Sequence, residues 1–139
     1  MIHCIFLLIN DYFFYKLGRI SVGDKATEIG MILYIFNHTF SQQMHRLFSS
    51  SYEAMLGTIS LYFFMQLKAK FDFNMIMVIA LQSFSFVIRN TSPIAWVVLL
   101  LLKAYELGFI KMMKYYIIGF FIIFLPIFLS SIAADSWFY

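Results

Sequence analysis

Four side chains in this sequence are best suited to binding a charged, polar substrate: Arg46, Arg89, Glu53 and Asp135. The guanidinium group of arginine presents a planar fork of N–H donors that matches the oxygens of a phosphate or phosphodiester. A carboxylate can orient the hydroxyl groups of a sugar or a similar molecule by accepting hydrogen bonds from them. We therefore predict a substrate-binding role for these four residues, whereas no residue is assigned as catalytic.

Each of the four residues also has a purely structural explanation. Arg46 and Arg89 could simply anchor helix ends at lipid headgroups. Ser50 and Glu53 have the spacing of a capping box, in which the glutamate helps to start a helix. Asp135 could lie beyond the last helix. The residues alone leave both explanations open for every one of them.

Several chemistries have no support in the sequence. The histidines, at positions 3, 38 and 45, do not have metal-ligand spacing, and Cys4 is the only cysteine, so we expect no metal site and no internal disulfide. No glycine-rich phosphate loop or redox pair is present, and we expect no bound cofactor. The net charge of +3 is scattered between apolar runs rather than concentrated, which argues against a nucleic-acid partner.

The composition predicts that lipid surrounds much of the chain. Of its 139 residues, 63% are hydrophobic and only 12% are charged, whereas soluble domains are about half apolar and about a quarter charged. We predict an all-α, multi-pass membrane protein with about six transmembrane helices in a single partial transmembrane domain, residues 1–139. The predicted segments are about 2–15, 29–47, 51–67, 74–88, 93–109 and 115–134.

Local signals define the ends of these segments. The first is shorter than the roughly 20 residues that span a bilayer, so it is expected to be the tail of a longer helix. Arg89 and the turn-forming residues 90–92 separate a helix that ends near Ile88 from one that begins near Pro93, a residue suited to the first helical turn. Pro126 predicts a kink in the last segment.

Three further local interactions are predicted from spacing. Thr27 is placed to cap the second helix, because it precedes Glu28 and an apolar run. Asp11 lies inside an apolar segment, where we expect it to pair with a basic neighbour such as Lys16. Lys103 and Glu106 are three residues apart on one helix, a spacing that permits an ion pair.

The charges distribute unequally between the two sides of the predicted bundle. With alternating loops, one side receives eight of the ten basic residues: Lys16, Arg19, Lys25, Lys68, Lys70, Lys103, Lys111 and Lys114. The other side receives Arg46 and Arg89, together with Glu53 and Asp135. By the positive-inside rule the first side is cytosolic, so the four candidate binding residues converge on the lumenal or extracellular face.

Several stretches together resemble glycosyltransferase family 22, mannosyltransferases of the GT-C superfamily that use dolichyl-phosphate mannose. Residues 46–54 are similar to a family segment of the form R-T-L-T-N-T-x-E-A, and residues 86–96 to F-x-I-R-P-T-x-x-x-x-W, with Asn90 in place of its proline. Residues 135–139 resemble the family's D-x-x-F-Y-G, and residues 11–15 a D-x-x-x-Y stretch. The motifs are most similar to those of the branch that adds the third mannose to the precursor of GPI anchors.

The resemblance implies a larger GT-C-type helical bundle in the endoplasmic reticulum membrane. It implies a lipid-linked sugar donor, dolichyl-phosphate mannose, and a glycolipid acceptor, either a GPI precursor or a related lipid-linked glycan. The family's acidic H-x-D-E loop has no counterpart in this sequence, so the chain is expected to be an internal fragment that lacks the remainder of its own protein and is inactive alone. The alternatives from the residues are a multi-pass transporter and a non-catalytic membrane subunit.

Overall fold

The computed structural model of the protein describes residues 2–36, 49–88 and 93–138, and all secondary structure within these ranges is helical. Arg46 and Arg89 lie outside them. The helices are α1 (Ile2–Val22), α2 (Asp24–Phe36), α3 (Ser49–Met65), α4 (Phe73–Ile88), α5 (Pro93–Leu107), α6 (Phe109–Gly119), a π-helical turn (Phe120–Phe124) and α7 (Leu125–Phe138). The prediction of an all-α chain is confirmed for the described residues, while the number of membrane spans stays a prediction.

Glycine and aspartate set the boundaries between consecutive helices. Gly23, between α1 and α2, has a φ of 85°, and Gly108, between α5 and α6, has a φ of 105°. Residues other than glycine rarely adopt these positive φ angles, because their Cβ atom crowds the backbone. Asp72 caps α4, since its Oδ1 accepts a hydrogen bond of 3.2 Å from the backbone N–H of Met75.

The prediction that Thr27 caps the second helix is wrong. Helix α2 already begins at Asp24, because Gly23 supplies the turn, so Thr27 lies one turn inside it. Its hydroxyl donates a hydrogen bond of 2.6 Å back to the carbonyl of Gly23. Serine and threonine often satisfy their hydroxyl in this way within helices.

The described helices form three antiparallel hairpins. Gly18 of α1 faces Thr27 of α2. The amide of Asn74 in α4 donates to the carbonyl of Gln66, just after α3, over 3.3 Å. The hydroxyl of Tyr116 in α6 donates to the carbonyl of Leu100 in α5 over 3.1 Å.

Ring contacts show how the hairpins are oriented relative to one another. Phe6 contacts Tyr52 and Phe13 contacts Tyr62, with ring centroids 5.5 Å and 5.3 Å apart, so α1 and α3 run parallel. Ile79 lies against Gly119 of α6, and Phe86, further along α4, contacts Phe124 and Phe128, so α4 runs parallel to the C-terminal helices. All three turns therefore lie at one end of the bundle, which we call the hairpin end.

A small apolar core lies near the hairpin end, where α3, α4, α5 and α6 meet. Met75 and Val78 of α4, Ala104 of α5 and Met112 of α6 have no exposed surface, and Phe64 is almost fully buried beside them. Elsewhere apolar side chains face outward, including Phe36 and Ile110, which are 80% and 85% exposed. A water-soluble surface rarely carries so much exposed apolar area, which favours lipid as the surrounding medium.

One helical stretch in the described part of the chain, formed by α6, the π-helical turn and most of α7, is long and apolar enough to cross a membrane. It runs over 27 residues, Phe109–Asp135, a length of about 40 Å, compared with a hydrocarbon core of about 30 Å. Little of it is buried within the bundle. The π-helical turn Phe120–Phe124 interrupts it just before Pro126, and the N–H of Leu125 donates to the carbonyl of Phe120. The helical distortion thus adjoins the proline, which has no N–H to donate.

We expect Gly18→Ala to destabilise the hairpin of α1 and α2. A methyl group at this position would lie 2.7 Å from Cγ2 of the buried Thr27, and such overpacking costs about 1–3 kcal/mol. Gly30→Ala is the matched control, because a Cβ there meets no atom within 4 Å and gains only helix propensity. Thermal unfolding in detergent, followed by circular dichroism, should give a lower midpoint for Gly18→Ala than for Gly30→Ala.

The double variant Gly18→Ala/Thr27→Ser should regain most of the lost stability. Serine keeps the hydroxyl that bonds to Gly23 but removes the methyl group that causes the clash. Thr27→Ser alone provides the reference. Equal midpoints for the Gly18→Ala and Gly30→Ala variants would contradict this description of the contact.

Removal of the Asp72 cap should weaken the start of α4. Asp72→Ala is expected to cost about 1 kcal/mol, because the N–H of Met75 loses its acceptor. Asp72→Asn should lose much less stability, since the amide oxygen of asparagine can still accept this hydrogen bond. The same unfolding measurement tests the pair, and indistinguishable midpoints for the two variants would rule out the capping role.

Candidate functional site

The fold brings Glu53 and Asp135 to the same end of the bundle. Glu53 lies near the start of α3, which runs antiparallel to α4, and Asp135 lies near the end of α7, which follows the direction of α4. Both residues therefore lie at the end away from the three turns, which we call the open end. Glu53 is half-buried and Asp135 is exposed.

The two predicted arginines cannot be compared with the structure, since they fall outside the described residues. By sequence, Arg46 precedes α3 by three positions and Arg89 directly follows Ile88, the last residue of α4. The binding role of the four residues remains a prediction. Within the described ranges, no three side chains of His, Cys, Asp or Glu are grouped so that they could hold a metal ion.

A polar cluster between α1 and α2 shows how the bundle accommodates Asp11. The hydroxyl of Tyr34 donates a hydrogen bond of 2.8 Å to Oδ1 of Asp11, and Nδ2 of Asn10 donates to the same hydroxyl over 3.3 Å. The expected basic partner of Asp11 is thus replaced by a tyrosine from the neighbouring helix. Lys16 instead lies over the rings of Tyr12 and Tyr62, at 4.8 Å and 5.8 Å. The sequence marks Asp11 as unusual, but only the packing of α2 supplies its partner.

An apolar groove of about 320 Å³ lies between α4, α5, α6 and the π-helical turn. Its walls include Phe86, Trp96, Phe120 and Phe124. Gln82 also lines it, and neither its amide oxygen nor its amide nitrogen has a hydrogen-bond partner. The sequence signal for this feature is a glutamine within the apolar run 74–88.

A second groove, of about 340 Å³, lies at the hairpin end beside α1, α2 and α3. Lys16, Arg19, Ile20, Asp24 and Tyr62 line it. Nε of Arg19 donates to Oδ1 of Asp24 over 2.5 Å, and this carboxylate raises the pKa of Arg19. The groove therefore presents basic side chains beside aromatic ones.

The Lys103 and Glu106 pair is confirmed at the same end of the bundle. Nζ of Lys103 lies 2.9 Å from Oε2 of Glu106 on the last turns of α5. The Glu106 side chain is exposed and that of Lys103 is largely covered. Lys103 is a further basic residue at the hairpin end of the bundle.

The two ends of the bundle thus offer different chemistry. The open end carries carboxylates that can accept hydrogen bonds from hydroxyl groups. The hairpin end carries the basic residues of all three turns, Lys25, Lys68, Lys70 and Lys111 among them. The open end is suited to binding a sugar, and the hairpin end is suited to contact with anions.

Comparisons with known proteins place the chain in a family. The chain matches no curated protein and no solved structure. The family model of the Alg9-like mannosyltransferases, glycosyltransferase family 22, matches residues 1–139. Because this match covers the whole chain, the protein belongs to the Alg9-like mannosyltransferase family.

Proposed function

We propose that this chain is part of an endoplasmic reticulum enzyme that transfers mannose from dolichyl-phosphate mannose to a GPI-anchor precursor. The observation that carries the proposal is the family match over all 139 residues. Family membership supports a mannosyltransferase that uses a lipid-linked donor and acceptor. It favours an enzyme over the transporter and over the non-catalytic subunit that the residues alone left open.

The choice of a GPI precursor as acceptor depends on the motifs of the sequence. Residues 46–54, 86–96 and 135–139 are similar to segments of the branch that adds the third mannose of the anchor. A related lipid-linked glycan is the alternative acceptor. The two acceptors differ in their lipid and core sugar, so transfer assays with each of them distinguish these possibilities directly.

In this proposal the open end of the bundle faces the lumen and binds the substrates. Arg89 and Arg46 would hold the phosphate of the donor with their guanidinium forks, while Glu53 and Asp135 would orient sugar hydroxyls. The structure supports this in one respect: Glu53 and Asp135 lie at the same end of the bundle. The basic hairpin end would face the cytosol, in agreement with the positive-inside rule.

The chemical step needs more than these four residues supply. The acceptor hydroxyl attacks C1 of mannose, the bond from C1 to the phosphate oxygen breaks, and dolichyl phosphate leaves with the bonding electrons. A base must take the hydroxyl proton, and cationic or N–H groups must stabilise the charge that develops on the phosphate. The arginines suit the second task. We propose that the base comes from an H-x-D-E loop, which this sequence lacks, in a longer protein that contains this chain.

Arg89→Lys in the longer protein should impair mannose transfer by about tenfold or more. Lysine keeps the positive charge but loses the two-pronged hydrogen bonding that suits a phosphate. Third-mannose transfer in cells that lack the endogenous activity, normalised to protein level, provides the measurement. Lys68→Arg, at the hairpin end, is the matched control and should transfer mannose normally.

The same assay can separate the binding role from helix anchoring. An arginine that only anchors a helix end is replaceable by lysine, which also extends its charge to the headgroups. Wild-type transfer by Arg89→Lys at normal expression would therefore disprove the phosphate role. A lack of transfer even by the unmodified longer protein would instead disprove the choice of acceptor.

The proposed orientation predicts which positions a membrane-impermeant thiol reagent can reach. In a Cys4→Ser background, Lys68→Cys and Lys111→Cys should be labelled in sealed microsomes, because the hairpin end faces the cytosol. Asp135→Cys should be labelled only after the microsomes are permeabilised. Labelling of Lys68→Cys only after permeabilisation would show that the orientation is reversed.

A further inference from the structure

The groove at the hairpin end has the features of a binding site for one charged lipid headgroup. Its basic residues come from α1, at the position where the apolar run of that helix ends: Tyr15 is followed by Lys16, and Arg19 is one turn further on. Tyrosine and basic side chains at such a boundary are typical of the membrane interface. With α1 in a membrane, this pattern would place the groove at the level of the phospholipid phosphates.

The ammonium group of Lys16 is held by aromatic rings rather than by a carboxylate. Its Nζ lies 4.8 Å from the ring centroid of Tyr12 and 5.8 Å from that of Tyr62. These rings attract the cation through their negative faces but do not neutralise it. Lys16 forms no ion pair with another residue of the described ranges, so its charge is available to an anion.

The guanidinium group of Arg19 is fixed in place by two neighbours. Asp24 accepts the hydrogen bond of its Nε, and the ring of Tyr15 lies 5.8 Å from its central carbon. An arginine has five N–H donors, and this arrangement uses the one on Nε. The N–H groups on the two terminal nitrogens remain available for a phosphate beside Lys16.

We propose that this groove binds the phosphate of an anionic glycerophospholipid from the leaflet at the hairpin end, between Lys16 and Arg19. Basic pockets between helices on the cytoplasmic side of membrane proteins commonly hold such headgroups. Asp24 acts as a positioning residue, because it orients the guanidinium fork without touching the lipid phosphate. The proposal does not depend on the identity of the sugar acceptor, and it requires only that the hairpin end lies at a membrane surface.

Native mass spectrometry of the full chain, released from nanodiscs of phosphatidylcholine with added phosphatidate, tests the site. Lys16→Gln and Arg19→Gln should each lower the retained phosphatidate about fivefold, the effect expected for the loss of one interfacial cation. Lys16→Arg should retain as much phosphatidate as the unmodified protein. Lys111→Gln is the matched control, since Lys111 is exposed at the same end but does not line the groove, and it should change retention little.

Asp24→Asn distinguishes a built site from a general patch of positive charge. The substitution removes a negative charge, so a patch that acts only through its net charge would retain more phosphatidate. A site that needs an oriented arginine would retain less, which is the result we expect. Circular dichroism of each variant verifies that helical content is preserved.

Three results would overturn the proposal. These are equal losses for Lys111→Gln and Lys16→Gln, increased retention for Asp24→Asn, and displacement of the lipid by excess inorganic phosphate. The last would identify a soluble anion as the ligand. Loss of third-mannose transfer is not a readout here, so the lipid site and the proposed enzymatic function can fail independently.

Discussion

Helix α4 is the element on which the packing of the described bundle depends. It contacts α3 along its length, and it also packs against α5, α6, the π-helical turn and α7. Its residues Met75 and Val78 are fully buried, and Gly119 lets α6 approach closely, since a Cβ there would clash with Cδ1 of Ile79. Close approach at small residues is how helices associate in an apolar medium, where burial from water gives little driving force. The direction of α4 also defines the two ends.

Several polar groups inside this apolar bundle are satisfied by neighbouring helices. Tyr34 bridges Asn10 and Asp11, and Tyr116 bonds to the carbonyl of Leu100. A polar group without a partner is costly in an apolar medium, so such bonds also fix how the helices pair. Gln82 is an exception, because its amide faces the apolar groove without a hydrogen-bond partner.

The uneven distribution of basic side chains between the two ends is compatible with the family of the chain. A mannosyltransferase with a lipid-linked donor must hold a sugar phosphate at one membrane surface while its helices remain embedded in lipid. The structure places Glu53 and Asp135 at the open end. The hairpin end carries the described basic side chains of the three turns together with the carboxylates of Asp24, Asp72 and Glu106. In our proposals, substrate binding and lipid binding use different residues, so variants at Arg89 and at Lys16 can be examined separately.

The sequence alone determined the helical class, the ion pair of Lys103 and Glu106, and the resemblance to glycosyltransferase family 22, because composition, short-range spacing and motifs are local properties. Tertiary structure decided which residues meet across helices. Asp11 binds Tyr34 of α2 instead of a lysine, and Lys16 lies near the ring of Tyr62 of α3. These contacts depend on the direction and rotation of whole helices, which are set by packing between residues distant in the chain and not by any short segment.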